Sequence, residues 1–376
     1  MTPKIERFLA EAEPPTPCLV VDVDVVADNY RRLRRWFPHA TVSYAVKANP
    51  AREVLETLVG LGSHFDAASL HEIDACLAAG ALSECIVYGN TIKKRQEIAK
   101  AFARGVRLYA FDSQAELEKL AAAAPGSRVY GRILTSSDGA DWPLSRKFGC
   151  ELDMARDLML KARDWGLEAH GLSFHVGSQQ IDPGQWEVAI ARAAGVFQDL
   201  REAGLELRMV NLGGGFPVRY RKDVPDIETV SGVIMGALGR HFGNRLPEIF
   251  IEPGRFVAAE AGVLLAEVVL VSNKEYVNGK RWVYLDVGKF GGLAETMGEA
   301  IQYPIMTPRD GGERGPVVIA GPTCDGADIL YEDAGYTLPL ELAVGDKVRL
   351  LNAGAYTTTY SSVGFNGFPP LDVVVI

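Results

Sequence analysis

Ser43-Tyr44-Ala45-Val46-Lys47-Ala48-Asn49-Pro50 sets a lysine inside an apolar, strand-like run, at the point where that run should end. A buried ammonium there is costly unless chemistry uses it, because desolvation disfavours the charged form. A lysine left partly neutral forms a Schiff base with a carbonyl. A lone lysine can equally snorkel, laying its stem along apolar surface and keeping its head in water. What surrounds Lys47 decides between the two.

Outward from this stretch, apolar and β-branched runs recur at 41–49, 64–69, 85–90, 107–113, 128–134, 169–178, 209–216 and 248–255. They start at intervals of about 22 residues and later of about 40, and each gap has room for a helix. Segments 53–60, 70–79, 93–103 and 114–123 carry helix formers at amphipathic spacing. Eight alternating units spell an α/β fold, a closed (β/α)8 TIM-type barrel, more readily than an open doubly wound sheet. Periodicity by itself does not show closure.

A barrel collects its reactive groups where strands end. The successive ends here carry Lys47, Asp66, Asn90, Asp112, Arg132, His175, the triplet Gly213-Gly214-Gly215, and Glu252 with Arg255. One polar strand end often only starts a loop; eight in succession form a pattern. Beyond Arg255 the texture changes to short strands near 263–272, 281–287, 317–320, 347–352 and 372–376, separated by Pro- and Gly-rich joints. The expected organisation is a barrel over 25–260 and a C-terminal mostly-β domain built from 1–24 with 261–376. The early run at 18–23 is expected to pair inside that β-domain.

Bulk composition narrows the function. The 376 residues are 48% hydrophobic and 23% charged, the balance of a folded globular protein. A net charge of −9 argues against nucleic-acid or anionic-membrane partners. Five cysteines (Cys18, Cys76, Cys85, Cys150, Cys324) include no Cys-x-x-Cys pair, so reduced thiols in a cytoplasmic enzyme are expected, without a metal site. No apolar leader-like segment or membrane-length run is visible.

Consecutive glycines let backbone N–H groups approach an anion, though a structural tight turn uses the same residues. With the Arg255 cation nearby, a phosphate pocket at the late strands is the better reading. Glu252 either pairs with Arg255 or holds a proton on a heteroaromatic nitrogen. His175, among small residues, either fills core or faces a flat ligand. A Schiff-base lysine, a phosphate cradle, an acid and a flat partner together describe pyridoxal 5′-phosphate. In Gly321-Pro322-Thr323-Cys324-Asp325-Gly326-Ala327-Asp328 the thiol is either a small buried hydrophobe or an exposed proton donor, with Asp325 free to bind an amine.

Ala45-Val46-Lys47-Ala48-Asn49, Phe174-His175-Val176-Gly177-Ser178, 213–217 and 252–255 resemble the alanine-racemase-like (fold type III) pyridoxal-phosphate decarboxylases. Cys324-Asp325, Ala353-Gly354-Ala355-Tyr356 and Phe365-Asn366-Gly367-Phe368 are similar to the ornithine decarboxylase family, in its bacterial short form. The resemblance implies that Lys47 carries the Schiff base, His175 stacks on the pyridine ring and Glu252 pairs with its nitrogen. Ser178, Gly213, Gly214, Gly215, Arg255 and Tyr356 would hold the phosphate, and Asp66, Glu72 and Arg132 would line the pocket. Cys324 would protonate the carbanion, Asp325 would bind the distal amine, and Phe365 would lie beside the reacting carboxylate. A homodimer sharing its active sites is implied, acting on a small basic amino acid: L-ornithine to putrescine and CO2. Tyr303-Pro304 stands where eukaryotic-type members place a Tyr-Asp pair, and Glu295 or Glu299 is the candidate second carboxylate. Lysine or dual lysine/ornithine decarboxylation therefore remains open, with a racemase and a non-catalytic regulatory homologue as more distant readings.

Overall fold

The computed structural model describes residues 1–142, 147–276 and 279–376. The chain divides into two compact units. One comprises Ala27–Pro217 with Val224–Phe256, the other Met1–Val26, Val218–Asp223 and Val257–Ile376.

Strand β1 (Cys18–Val21) belongs to the second unit. The first unit holds β2 (Ala40–Ala45), β3 (His64–Ala67), β4 (Ile86–Tyr88), β5 (Leu108–Phe111), β6 (Arg128–Arg132), β7 (Glu168–Ser173), β8 (Met209–Asn211) and β9 (Glu248–Ile251). All eight are parallel, and β9 pairs back onto β2, Ile249 opposite Ala40 and Ile251 opposite Val42. The sheet is a closed barrel, which settles the choice that periodicity left open. Its strands read as continuous apolar runs because helices cover the outside while side chains fill the inside.

The helices between strands follow local rules. Ser69 and Ser113 cap the helices Leu70–Ala78 and Gln114–Ala123 by accepting from the N–H groups of Glu72 and Glu116 three residues on. The helix expected over 93–103 begins only at Arg95, because Lys93 turns inward.

The strands stop two to four residues short of most expected ends. The ladder of β2 ends at Ala45, and Val46–Ala48 curls into a 3-10 turn. The run over 209–216 is strand only to Asn211. Apolar residues such as Val46 and Phe216 prolong the sequence pattern because they are buried beneath loops, not because they pair. The chemistry-bearing residues thus lie mostly in the turns that follow the strands.

The second unit is mostly β. Its sheet runs Ile305–Met306, Lys347–Leu351, Gly262–Asn273, Arg281–Leu285, Val318–Ala320 and Ile329–Tyr331. As expected of the early run, β1 joins this sheet, antiparallel to Gly262–Asn273 and parallel to Asp372–Val375. The helix Pro3–Ala12, which was not anticipated, is capped by Thr2 and packs Ile5 and Leu9 against Cys18, Val20, Val263 and Leu265.

Candidate active site

In the barrel unit, Lys47 lies on the 3-10 turn two residues past β2. The expectation of a buried lysine inside a strand is corrected: its side chain is 51% exposed, with Nζ 3.6 Å from Asp66 Oδ2. Turning the chain at Ala45 lifts the ammonium out of the apolar ladder. Asp66 is buried on β3, and its carboxylate fills the space a Cβ on Gly89 would take. Glu72 reaches back from its helix to accept the N–H of Ala68, the residue before the Ser69 cap, at 2.6 Å, while Ser69 Oγ accepts the Glu72 N–H. Burial pushes the Glu72 carboxyl above the usual carboxylate range, against that N–H.

His175 follows β7. Its Nδ1 accepts the Gly177 N–H at 3.0 Å, and the Thr135 hydroxyl donates to its backbone carbonyl at 2.9 Å. His175 is only partly buried, yet desolvation, followed by Arg132 and Lys47, drives its pKa well below the ordinary imidazole value. The imidazole is therefore neutral, and with Nδ1 accepting, Nε2 carries the proton.

Glu252 follows β9. Surrounding protein, and next Asp66, push its carboxyl up to about 7, opposed by a hydrogen bond from Asn211 and by Lys47 and Arg132. Asn211 Nδ2 donates to Glu252 Oε1, and Asn211 Oδ1 accepts the Gly213 N–H at 2.9 Å. Gly213 and Gly215 adopt φ of +66° and +96°. A Cβ on Gly213, Gly214 or Gly215 would run into the backbone carbonyl of Phe174, Glu252 or Gly177 respectively. The triplet is thus required by close approach as well as by conformation. Arg255 is 4% exposed and directs Nε and Nη2 at Ser178 Oγ, each at 3.3 Å. Arg132 ends β6 with its guanidinium 5.2 Å from the Phe148 ring centroid.

The β unit holds the remaining candidates. Cys324 is exposed, and the side-chain oxygen of Asn366 receives its backbone N–H at 3.2 Å and its thiol at 3.5 Å. Asp325, also exposed, accepts the Ala327 N–H at 2.8 Å. Phe365 opens the 3-10 turn Phe365–Gly367 and packs on Phe290 with ring centroids 4.7 Å apart. Tyr356 has a φ of +62°. Glu295 is buried. Glu299 receives the backbone N–H groups of Glu332 and Asp333 on Oε1, so that oxygen is already engaged. Tyr303 is walled in by Tyr220, Tyr331 and Tyr336.

The family model described as "Pyridoxal-dependent decarboxylase, pyridoxal binding domain" matches residues 23–259. The chain belongs to this decarboxylase family. A lysine/ornithine decarboxylase of Selenomonas ruminantium is 36% identical over 94% of this chain and 88% of its own. The mouse (Mus musculus) ornithine decarboxylase is 32% identical over 93% of this chain and 78% of its own. The crystal structure of the Paramecium bursaria Chlorella virus arginine decarboxylase bound to agmatine superposes with a TM-score of 0.90 at 29% identity, covering all of both chains.

The decarboxylase's residues fit pyridoxal 5′-phosphate, the cofactor of its family. A cradle closed to any Cβ and a buried guanidinium beside a hydroxyl suit a phosphate. A neutral, flat imidazole and a carboxyl titrating near neutrality suit the ring and its nitrogen. Asn211 and Asn366 were missed from sequence. Asn211 stands two residues before the first glycine, within the run 209–216, so the strand-end rule extended to it would have found it. Asn366 lay inside a quoted motif, but its partner Cys324 is distant in sequence.

Proposed function

We propose that this decarboxylase converts L-ornithine to putrescine and CO2, with lysine as the nearest competing substrate. The observation that carries the reading is the turn on which Cys324 and Asp325 stand exposed side by side, the thiol held by Asn366. It offers a proton donor and an anchor for a distal ammonium within two residues.

When bound, pyridoxal phosphate supplies the electron sink that carboxyl loss requires. Lys47 is the amine that would hold the cofactor, and its exposure leaves it open to the pocket. Glu252 shares a proton with the ring nitrogen, and His175 offers a neutral stacking face. Arg255, Ser178, Gly213, Gly214, Gly215 and Tyr356 hold the phosphate, while Asp66, Glu72 and Arg132 set the charge of the pocket. Cys324 gives its thiol proton to the α-carbon after CO2 leaves. Asp325 binds the distal ammonium, and Phe365 keeps water from the departing carboxylate. A homodimer acting in the cytoplasm, in which the Cys324-Asp325 turn of one subunit serves the barrel of the other, completes the reading.

Dual lysine/ornithine action is the second reading. It is favoured by the engagement of Glu299 with two backbone N–H groups and by Tyr303-Pro304, which presents no carboxylate. Asp325 then recognises a terminal ammonium without strongly fixing its distance. Labelled CO2 release from ornithine, lysine, arginine and diaminopimelate tests both. The highest kcat/KM on ornithine is expected. Comparable values on ornithine and lysine establish the second reading, and inverted stereochemistry without CO2 refutes both.

A further inference from the structure

Asn211 ends β8 with both ends of its carboxamide committed. It is 1% exposed, donates from Nδ2 to Glu252 Oε1 and accepts the Gly213 N–H on Oδ1. Reversing the amide would face two donors at Gly213 and two acceptors at Glu252, so its orientation is fixed. The same two residues are joined a second time, by the Glu252 N–H donating to the Gly213 carbonyl at 2.8 Å. One side chain thus touches the acid and the first glycine of the anion turn.

We propose that Asn211 is a positioning residue that links the proton held by Glu252 to the seating of the glycine turn, so that the ring-nitrogen and phosphate ends of the cofactor site are set together. The inference rests on the roles given above to Glu252 and the glycine turn. A carboxamide donor favours the ionised carboxylate against its buried surroundings. The other groups acting on Glu252 are Asp66 on β3, Lys47 after β2, and Arg132 and Tyr130 on β6. Asp66 opposes the ionised form and Lys47 and Arg132 favour it. Asn211 carries no charge, and it also reaches the turn through a hydrogen bond from Gly213.

Asn211→Asp separates the two contacts. The variant retains an oxygen for the Gly213 N–H but sets a second carboxylate against Glu252 in place of a donor. The experiment follows release of pyridoxal phosphate from the holoenzyme between pH 6 and 9 for the wild type, Asn211→Asp, Asn211→Leu and Glu252→Gln. Absorbance reports release, and circular dichroism checks folding. For Asn211→Asp, the pH midpoint of release should move up by about one unit, with about tenfold faster release at neutral pH. Asn211→Leu should release the cofactor faster still, having lost the Gly213 contact as well. An Asn211→Asp profile that overlays the wild type, while that of Glu252→Gln is displaced, overturns the role of Asn211 alone. A Glu252→Gln profile that overlays the wild type overturns the reading of Glu252 itself. Should Asn211→Asp not fold, Asn211→Ser, which also lacks the amide donor, carries the same comparison.

Discussion

Asp328 accepts both the backbone N–H and the hydroxyl of Thr323, at 3.1 and 2.7 Å, and so fixes the residue directly before Cys324. It also accepts the Lys289 N–H at 2.7 Å, and a Cβ on Gly288 or Gly321 would run into its carboxylate. Two loops are therefore built around one buried acid. Asp328→Ala leaves three donors without their acceptor and should cost about 2–4 kcal/mol. Urea unfolding measures it, and an unchanged midpoint would show that the loops hold without Asp328.

Lys93 is fully buried; its Nζ donates to the carbonyls of Asn90 and Ala110 at 2.7 and 2.6 Å and pairs with Glu116 at 3.1 Å. Burial pulls its pKa down to about 8, against Glu116. With the folded value below the unfolded one, the unfolded chain binds the proton more tightly between pH 8 and the ordinary lysine range. The stability owed to this group therefore rises as pH increases through that window. Lys93→Met should destabilise by about 2–4 kcal/mol at pH 7, because two carbonyls and a carboxylate lose a donor. Unfolding midpoints from pH 7 to 10 should show the wild type's advantage widening; a constant gap would mean that Lys93 does not titrate in the window.

Gly215→Ala forces a Cβ toward the Gly177 carbonyl at a φ of +96°. Cofactor affinity should fall at least about tenfold as the turn shifts. Gly126→Ala is the control: its φ of +71° imposes similar backbone strain, but nothing lies within 4 Å. That variant should lose about 1 kcal/mol of stability and keep its cofactor. Equilibrium dialysis distinguishes the pair, and equal affinities would deny the turn its anion-binding role.

Lys47→Ala should abolish both visible cofactor absorbance and CO2 release, whereas Cys324→Ala should keep the absorbance and impair product formation. Normal turnover by either variant removes the role assigned to that residue.

The fold was legible because the barrel strands are largely buried on both faces and three of the intervening helices carry side-chain caps, from Ser69, Ser113 and Asp226, so local pattern and global arrangement agree. What sequence could not place was where pairing stops. Buried loop residues such as Val46 and Phe216 continue the apolar pattern beyond the ladder, and for Lys47 this turned an exposed side chain into an expected buried one. The cofactor-site residues stood out as polar groups at strand ends. The buried polar braces Asp328 and Lys93 did not, because each is defined by partners that the chain brings together only on folding. Asp328 sat in plain view in a turn-rich segment, and nothing in its neighbours indicates that it faces inward.

Strand β1 has a consequence of another kind. The barrel strands pair mostly with their successors in sequence, so their ladders can assemble as the chain is made. Cys18, by contrast, pairs with Leu265 and with Asp372, residues that leave the ribosome long after it. Through most of synthesis, Leu19, Val20 and Val21 are an apolar strand with no neighbour on either edge, open to the wrong one. The helix Pro3–Ala12, which lays Ile5 and Leu9 on the same cluster as Cys18 and Val20, is the nearest cover the chain itself provides during that wait.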